Sequence, residues 1–274
     1  MLQLILLFFA AGVCLLGECP NCILFVCAGA EGACNIVLDV IAAHQDNAIV
    51  MRECCWALCN LSHKHDTNRA KIIRAGGIEV LTGVVRKYSG NEPVVLWSCG
   101  TLANIAASKT ASNCSKFMEV DTCSAVVDIL QLYMDGDETV LRYVCWVVGN
   151  LASVSSLSAA LGEIGACEGI VLALMKHVGS AAIAQLACTA IWHLSKVPDN
   201  RTKLENAGAA KVIDRALKEH DKNSAVTKWI MKAKSVFVET SMFRNLSLRN
   251  DTAKDTTDST VHSRGSSVGS IEFP

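Results

Sequence analysis

"GACEGIVLALMKH", residues 165–177, opens on a glycine and closes twelve residues later on a histidine. The same frame recurs as "GACNIVLDVIAAH" (32–44), "GGIEVLTGVVRKY" (76–88) and "GAAKVIDRALKEH" (208–220), each ending in His or Tyr. A fifth copy, "DTCSAVVDILQLY" (121–133), fits with Asp at the glycine position. The starts at 32, 76, 121, 165 and 208 lie 44, 45, 44 and 43 residues apart. A second landmark keeps phase: Asn60, Asn104, Asn150 and His193 follow their starts by 28, 28, 29 and 28 residues. Self-similarity at a fixed period marks a repeat architecture, in which each unit buries its apolar face against its neighbours.

Each unit reads as three helices. A short one precedes the glycine, as in "NRAKIIRAGG" (68–77) and "NRTKLENAGA" (200–209), and Gly supplies the left-handed turn that stops it. The second runs from the Gly to the His or Tyr, and a polar turn follows ("QDNA", "SGNEP", "DGDE"). The third and longest carries the Asn landmark and a cysteine at an equivalent position: Cys55, Cys99, Cys145 and Cys188. Leu58, Leu102 and Val148, two residues before each Asn, fall on the opposite face and point to the core.

Composition agrees. Of 274 residues, 51% are apolar but only 5% aromatic, so the core is built from Leu, Val, Ile, Ala and Cys, which suits packed helices. Four prolines and no alternating β-branched runs argue against sheets. A net charge of −1 with scattered Lys and Arg leaves no stripe for nucleic acid. The fourteen cysteines read as small buried hydrophobes with free thiols, and hence as a mark of a reducing compartment.

A period of about 40–47 residues with two or three helices per unit signals an armadillo or HEAT solenoid. The three-helix unit, the "AGG" turn (75–77) and the "ALCNLS" ending (57–62) resemble armadillo repeats over about residues 28–235. The resemblance implies an all-α, right-handed solenoid of about four to five repeats. Its third helices line a concave groove that holds an extended peptide from a partner protein, so the expectation is a non-enzymatic scaffold. On those helices Arg52, Trp56 and Asn60 share a face at i, i+4 and i+8, as do Arg142, Trp146 and Asn150. W-x-x-x-N resembles the motif of importin-α-type nuclear-import receptors, where the Asn amide holds the peptide backbone and Trp packs on its side chains. An amide has both donor and acceptor, and an indole offers a broad apolar and cation-binding face. The expected groove set is Arg52, Trp56, Asn60, Trp97, Asn104, Arg142, Trp146, Asn150 and His193. The competing expectation is that the Asn residues brace the neighbouring repeat and the two Trp fill the core.

The departures from importin-α shape the ligand. Gly100 stands at the Trp position of the second repeat, with Trp97 one turn earlier, and Thr189 and His193 stand where Trp and Asn would be. The Trp array reads as broken. Acids on the third helices are few (Glu53, Glu92, Asp137, Glu138), which disfavours Lys-rich ligands. Arg52 and Arg142 point instead to an acidic or phosphorylated segment, as in β-catenin-like binding. A nuclear-import adaptor stays as the alternative, with no nucleic acid or membrane as partner.

Residues 1–31 are apolar and Cys-rich, reading either as a worn repeat or as signal-like. No Lys or Arg precedes Arg52, and the first sixteen residues fall short of the ~20 a membrane span needs. Asn60-Leu61-Ser62 fits the glycosylation pattern, but inside a helix that must pack. Cys19 and Cys22, with Cys14 and Cys27 nearby, leave a metal- or redox-active protein as a second alternative. "HKHD" (63–66) with Cys59 offers three zinc ligands where a structural site needs four. No phosphate loop or nucleophile constellation stands out, so no enzyme and no cofactor are expected. Residues 32–240 form the solenoid, and 241–274, rich in Ser, Thr and Asp, form a disordered tail. There Ser247 and Ser267 follow an Arg by three residues, a spacing basophilic kinases use. The expected location is the cytoplasm and also the nucleus, with secretion left open by the apolar start.

Overall fold

A computed structural model describes residues 32–108 and 111–238. The expectations for Cys14, Cys19, Cys22, Cys27, Ser247 and Ser267 lie outside the described residues. The described chain is helical, with no strand among its residues. Of the first unit, α1 (Ala33–Ala43) and α2 (Ala48–Ser62) lie among the described residues. Four complete three-helix units follow. They are α3 (Asp66–Arg74), α4 (Gly77–Lys87) and α5 (Glu92–Ala106); α6 (Ala111–Glu119), α7 (Thr122–Leu132) and α8 (Glu138–Leu151); α9 (Ser155–Glu163), α10 (Ala166–Lys176) and α11 (Ala181–Leu194). The last unit is α12 (Pro198–Asn206), α13 (Ala209–Glu219) and α14 (224–238).

The period's glycines are the corners of the units. Gly32, Gly76, Gly165 and Gly208 hold φ between 77° and 89°, the left-handed region that a Cβ disfavours. Asp121 takes the same corner at φ 55°, and Asp is one of the few side chains that tolerate it. The corner turns the chain sharply: α9 and α10 meet at 79°. The polar turns end in the N-caps of the third helices. Asn47, Asn91, Asp137 and Ser180 each accept from a backbone N–H of the first turn, satisfying donors that no helix can pair internally.

The same period explains why the second helix ends in Tyr or His. Tyr88 Oη donates to Gln45 O (2.7 Å) and Tyr133 Oη to Ser89 O (3.0 Å). His177 Nε2 reaches Met134 O (3.0 Å) and His220 Nε2 reaches Val178 O (2.8 Å). A carbonyl can only accept, so both imidazoles must carry the proton on Nε2. Each ring thus clamps the turn of the repeat before it. The third helices stack in order, α2 on α5, α5 on α8, α8 on α11. Leu58, Leu102, Val148 and all four in-phase cysteines are fully buried between the layers, as the pattern requires.

Candidate functional site

The stacked third helices present one continuous wall, and its most prominent feature is aromatic. Trp56 and Trp97 lie with ring centroids 6.5 Å apart, Trp97 and Tyr143 6.2 Å, and Tyr143 and Trp146 5.9 Å. All four are half-buried: Trp97, Tyr143 and Trp146 pack against the core and keep part of their surface in solvent. The distances and the tilted or edge-on geometry are those at which aromatic quadrupoles attract. Three successive repeats are therefore joined by one staircase of rings.

The rings bridge the break expected at Gly100, while Thr189 still stands at the Trp position of the fourth repeat. A Cβ on Gly100 would lie 2.9 Å from Cys59 Sγ and 3.0 Å from Tyr143 Cε1. Glycine stands where Trp was expected because Tyr143, one layer on, already fills that space. Tyr143 was missed, although it precedes Asn150 by seven residues as Trp97 precedes Asn104. Burial pushes the Tyr143 phenol up from its ordinary value, so it stays neutral at physiological pH.

The asparagines behave differently from a free ladder. Asn104 is 3% exposed, and its Nδ2 donates to Cys59 O (3.1 Å) and Ser62 Oγ (3.0 Å) of the preceding repeat. Asn150 Nδ2 likewise donates to Ala103 O (2.8 Å), but Asn150 is only half-buried. The reading of Asn104 as a ligand contact is corrected: its amide is committed to the layer beneath it. Asn60 Nδ2 is buried with no hydrogen-bond partner among the described residues. It occupies the same rung in the first described unit, whose preceding neighbour in sequence is residues 1–31. A glycan on that buried nitrogen has no room.

The arginines also divide. Arg52 Nε donates to Glu53 Oε1 (2.6 Å), and the guanidinium pairs with the same oxygen again, so its charge is met on the spot. Arg52 nevertheless remains about half exposed on the wall. The Arg142 guanidinium sits 5.3 Å from the centre of the Tyr143 ring, a cation–π distance. His193 is half-buried, with its ring 4.6 Å from that of Trp192.

Trp192 opens a second cluster that sequence reasoning did not single out. It packs on Trp229 of α14 at 6.4 Å. Lys196 Nζ lies 4.0 Å from the Trp192 ring centre, and Lys232 Nζ lies 4.7 Å from Trp192 and 4.4 Å from Trp229. The signal was present in the register: Trp229 holds the position of Trp97 and Tyr143, and Lys232 that of Trp56 and Trp146.

The "HKHD" residues do other work. His65 Nδ1 accepts from Asn68 N (3.2 Å) and caps α3. Burial pushes the Cys59 thiol up to about 12, which disfavours the thiolate a metal would need. Among the described residues no group of three or more His, Cys, Asp or Glu could hold a metal ion. Also among them, no single helix is long and apolar enough to cross a membrane.

Residues 31–247 match the family model described as "Protein zer-1 homolog-like, C-terminal domain". The chain belongs to that family. It is an armadillo-repeat member of it, similar to Armadillo repeat-containing protein 6 from Homo sapiens at 25% identity over 187 residues. The Pongo abelii protein of that name matches equally, and in both the match takes in 62% of this chain but only 37% of the relative. Among solved structures, a designed armadillo repeat protein in complex with the peptide (KR)4 is 25% identical. It superposes with a TM-score of 0.65 over 84% of this chain and 90% of that one. A structure concerned with the phosphorylation-controlled interaction of cadherin and β-catenin has a TM-score of 0.70 at 13% identity, covering 84% of this chain and 53% of that one. The zer-1-like domain is thus an armadillo solenoid, a fold often used as a scaffold for protein interaction.

Proposed function

We propose that this domain is a non-enzymatic interaction module that holds an extended segment of a partner protein along its third-helix wall. The staircase Trp56–Trp97–Tyr143–Trp146 carries the reading. Four aromatic rings in contact, yet half-open to solvent, form an apolar strip that gains by being covered, and aromatic anchors of this kind dominate binding energy at interfaces. An extended peptide advances about 3.3 Å per residue, so centroids about 6 Å apart meet every second side chain. The designed solenoid that holds (KR)4 shares this fold, which supports the groove as a place for peptides. The nuclear-import alternative is less favoured, because Asn104 is committed to the preceding repeat and the last third helix, α14, carries Lys228, Lys232 and Lys234. The buried free thiols support a reducing compartment, which favours the cytoplasm or nucleus in this reading.

The test is selection of random twelve-residue peptides against the full chain, followed by fluorescence polarisation with Trp97→Ala and Tyr143→Ala. Truncating an interface anchor costs about 2 kcal/mol, so each variant should weaken selected peptides roughly 30-fold, measured at a temperature where melting shows both variants to be folded. Selected peptides that bind both variants as well as the parent would overturn the reading.

A further inference from the structure

The far end of the wall has a different chemistry from its middle. Between residues 181 and 196 there is no Asp or Glu, and residues 222–238 carry four lysines and no acid. One of the four, Lys234, is paired with Asp214 of α13 at 2.7 Å. Lys196 and Lys232 have no carboxylate partner among the described residues and rest on indoles instead. Lys232 is half-buried between Trp192 and Trp229. Sharing one ring at 4.0 and 4.7 Å, the two ammonium groups are at most about 9 Å apart. An anion whose oxygens are about 2.5 Å apart, accepting charge-assisted bonds of about 2.8 Å at each side, bridges ammoniums up to roughly 8 Å apart, so even at the far limit a small turn of one lysine stem brings both within its reach. The indoles hold the lysine stems in place, so less side-chain freedom is lost when the anion arrives.

We propose that Trp192, Lys196, Trp229 and Lys232 form an oxyanion subsite that takes a phosphorylated Ser or Thr of the bound peptide. This rests on the peptide-groove reading and gives it a charge pattern and a direction. The N-terminal end is neutralised by the Arg52–Glu53 pair, the middle is aromatic, and the C-terminal end is cationic. Helical layers pack about 8–10 Å apart, so the anionic residue falls about three to six positions from the one seated at Trp146. Phosphate is favoured over carboxylate because it carries nearly two charges and three acceptor oxygens, one for each ammonium with one to spare. In the register Lys232 stands where Trp56 and Trp146 stand, so the solenoid has exchanged an apolar rung for a charged one at the same place on the wall.

The experiment follows the indole N–H resonances of Trp192 and Trp229 in the full chain. The probes are the blocked pentapeptide Gly-Ala-phosphoSer-Ala-Gly, its Ser and Glu counterparts, inorganic phosphate, and vesicles containing phosphatidylinositol phosphates. The expected result is a saturable shift of both indoles with the phosphopeptide, at least tenfold tighter than with the Glu peptide and absent with Ser. It should be lost in the double variant Lys196→Gln/Lys232→Gln with melting unchanged. Equal affinity for the Glu peptide overturns the assignment to phosphate. No saturable shift, a shift that survives in the double variant, or equally tight binding of free phosphate overturns the proposal. So does vesicle binding that depends on the two lysines without any phosphopeptide shift. The pentapeptide does not span the staircase, so Trp97→Ala and Tyr143→Ala should leave its shift intact. Loss of the groove reading and loss of this subsite are therefore read separately.

Discussion

Replacing Asn104 with alanine tests whether the rung asparagines hold the solenoid or its ligand. Asn104 is 3% exposed, and its amide nitrogen donates to Cys59 O at 3.1 Å and Ser62 Oγ at 3.0 Å. Both acceptors belong to the preceding repeat, so the change strikes the interface between α2 and α5. Two net hydrogen bonds are worth about 1–3 kcal/mol, and the void left by the amide adds about 1 kcal/mol, giving roughly 2–4 kcal/mol. With a urea slope of about 2 kcal/mol/M, the midpoint should fall by about 1–2 M. Asn150→Ala, half-buried with one bond of 2.8 Å, should lose about 1 kcal/mol. In a repeat array a weakened interface also divides the transition. The unit carrying Trp56 should then melt before the unit carrying Trp192, read by following each indole through urea. An unchanged midpoint for Asn104→Ala together with lost peptide binding would show that the amide serves the ligand and that the bracing argument is wrong.

Two further outcomes follow from the packing. A Cβ on Gly162 would lie 1.6 Å from Asn200 Oδ1, and Asn200 is buried with Nδ2 bonded to Ser158 O at 2.7 Å. Gly162→Ala should therefore destabilise by about 2–4 kcal/mol, while Gly83→Ala, exposed on α4 with nothing near its Cβ, should stabilise by up to about 1 kcal/mol. Urea midpoints moving in the same direction would refute the pair. Burial pushes the thiols of Cys99, Cys145 and Cys188 up to about 12 from an ordinary 9.0. Because the folded value is the higher, the stability these groups hold is complete below pH 9 and lost between pH 9 and 12. The loss is about 1.4 kcal/mol per unit for each fully buried thiol. A urea midpoint at pH 10 equal to that at pH 8 would contradict this.

The period was legible because its two ends are backbone devices. A left-handed corner demands Gly or a tolerant Asp, and a clamp onto a carbonyl demands a ring with a donor at its tip, so Gly32 through His44 and its copies are constrained by local geometry. The wall was less legible for an equally local reason. The third repeat places Asn150 29 residues after its start instead of 28, so counting from the start hides the equivalence of Tyr143 with Trp97. Counting back from the Asn restores it. Sequence also could not tell whether an amide such as that of Asn104 points along the wall or down to the next layer, because both directions leave from the same helix face. Arg52 and Glu53 are adjacent, and neighbours in a helix do not ordinarily face each other, so their pairing was not foreseeable from spacing.

The clamps also explain how the wall can vary without loss of fold. Tyr88, Tyr133, His177 and His220 all engage backbone carbonyls of the preceding repeat, and Asn104 and Asn150 do the same from the third helix. A carbonyl is present whatever the side chain, so register between layers is held by contacts that ask nothing of the exposed residues. Positions four before the rung accordingly vary, running Trp56, Gly100, Trp146, Thr189 and Lys232. In the proposed reading each change alters what the wall holds, while the carbonyl clamps keep the stacking in place. Where a change does reach the packing, as Gly100 does by admitting the Tyr143 ring, the neighbouring layer supplies the compensating group. If the wall holds a peptide as proposed, its specificity rests on side chains that the carbonyl clamps do not use, and an exchange at Lys232 should alter ligand preference with little effect on melting.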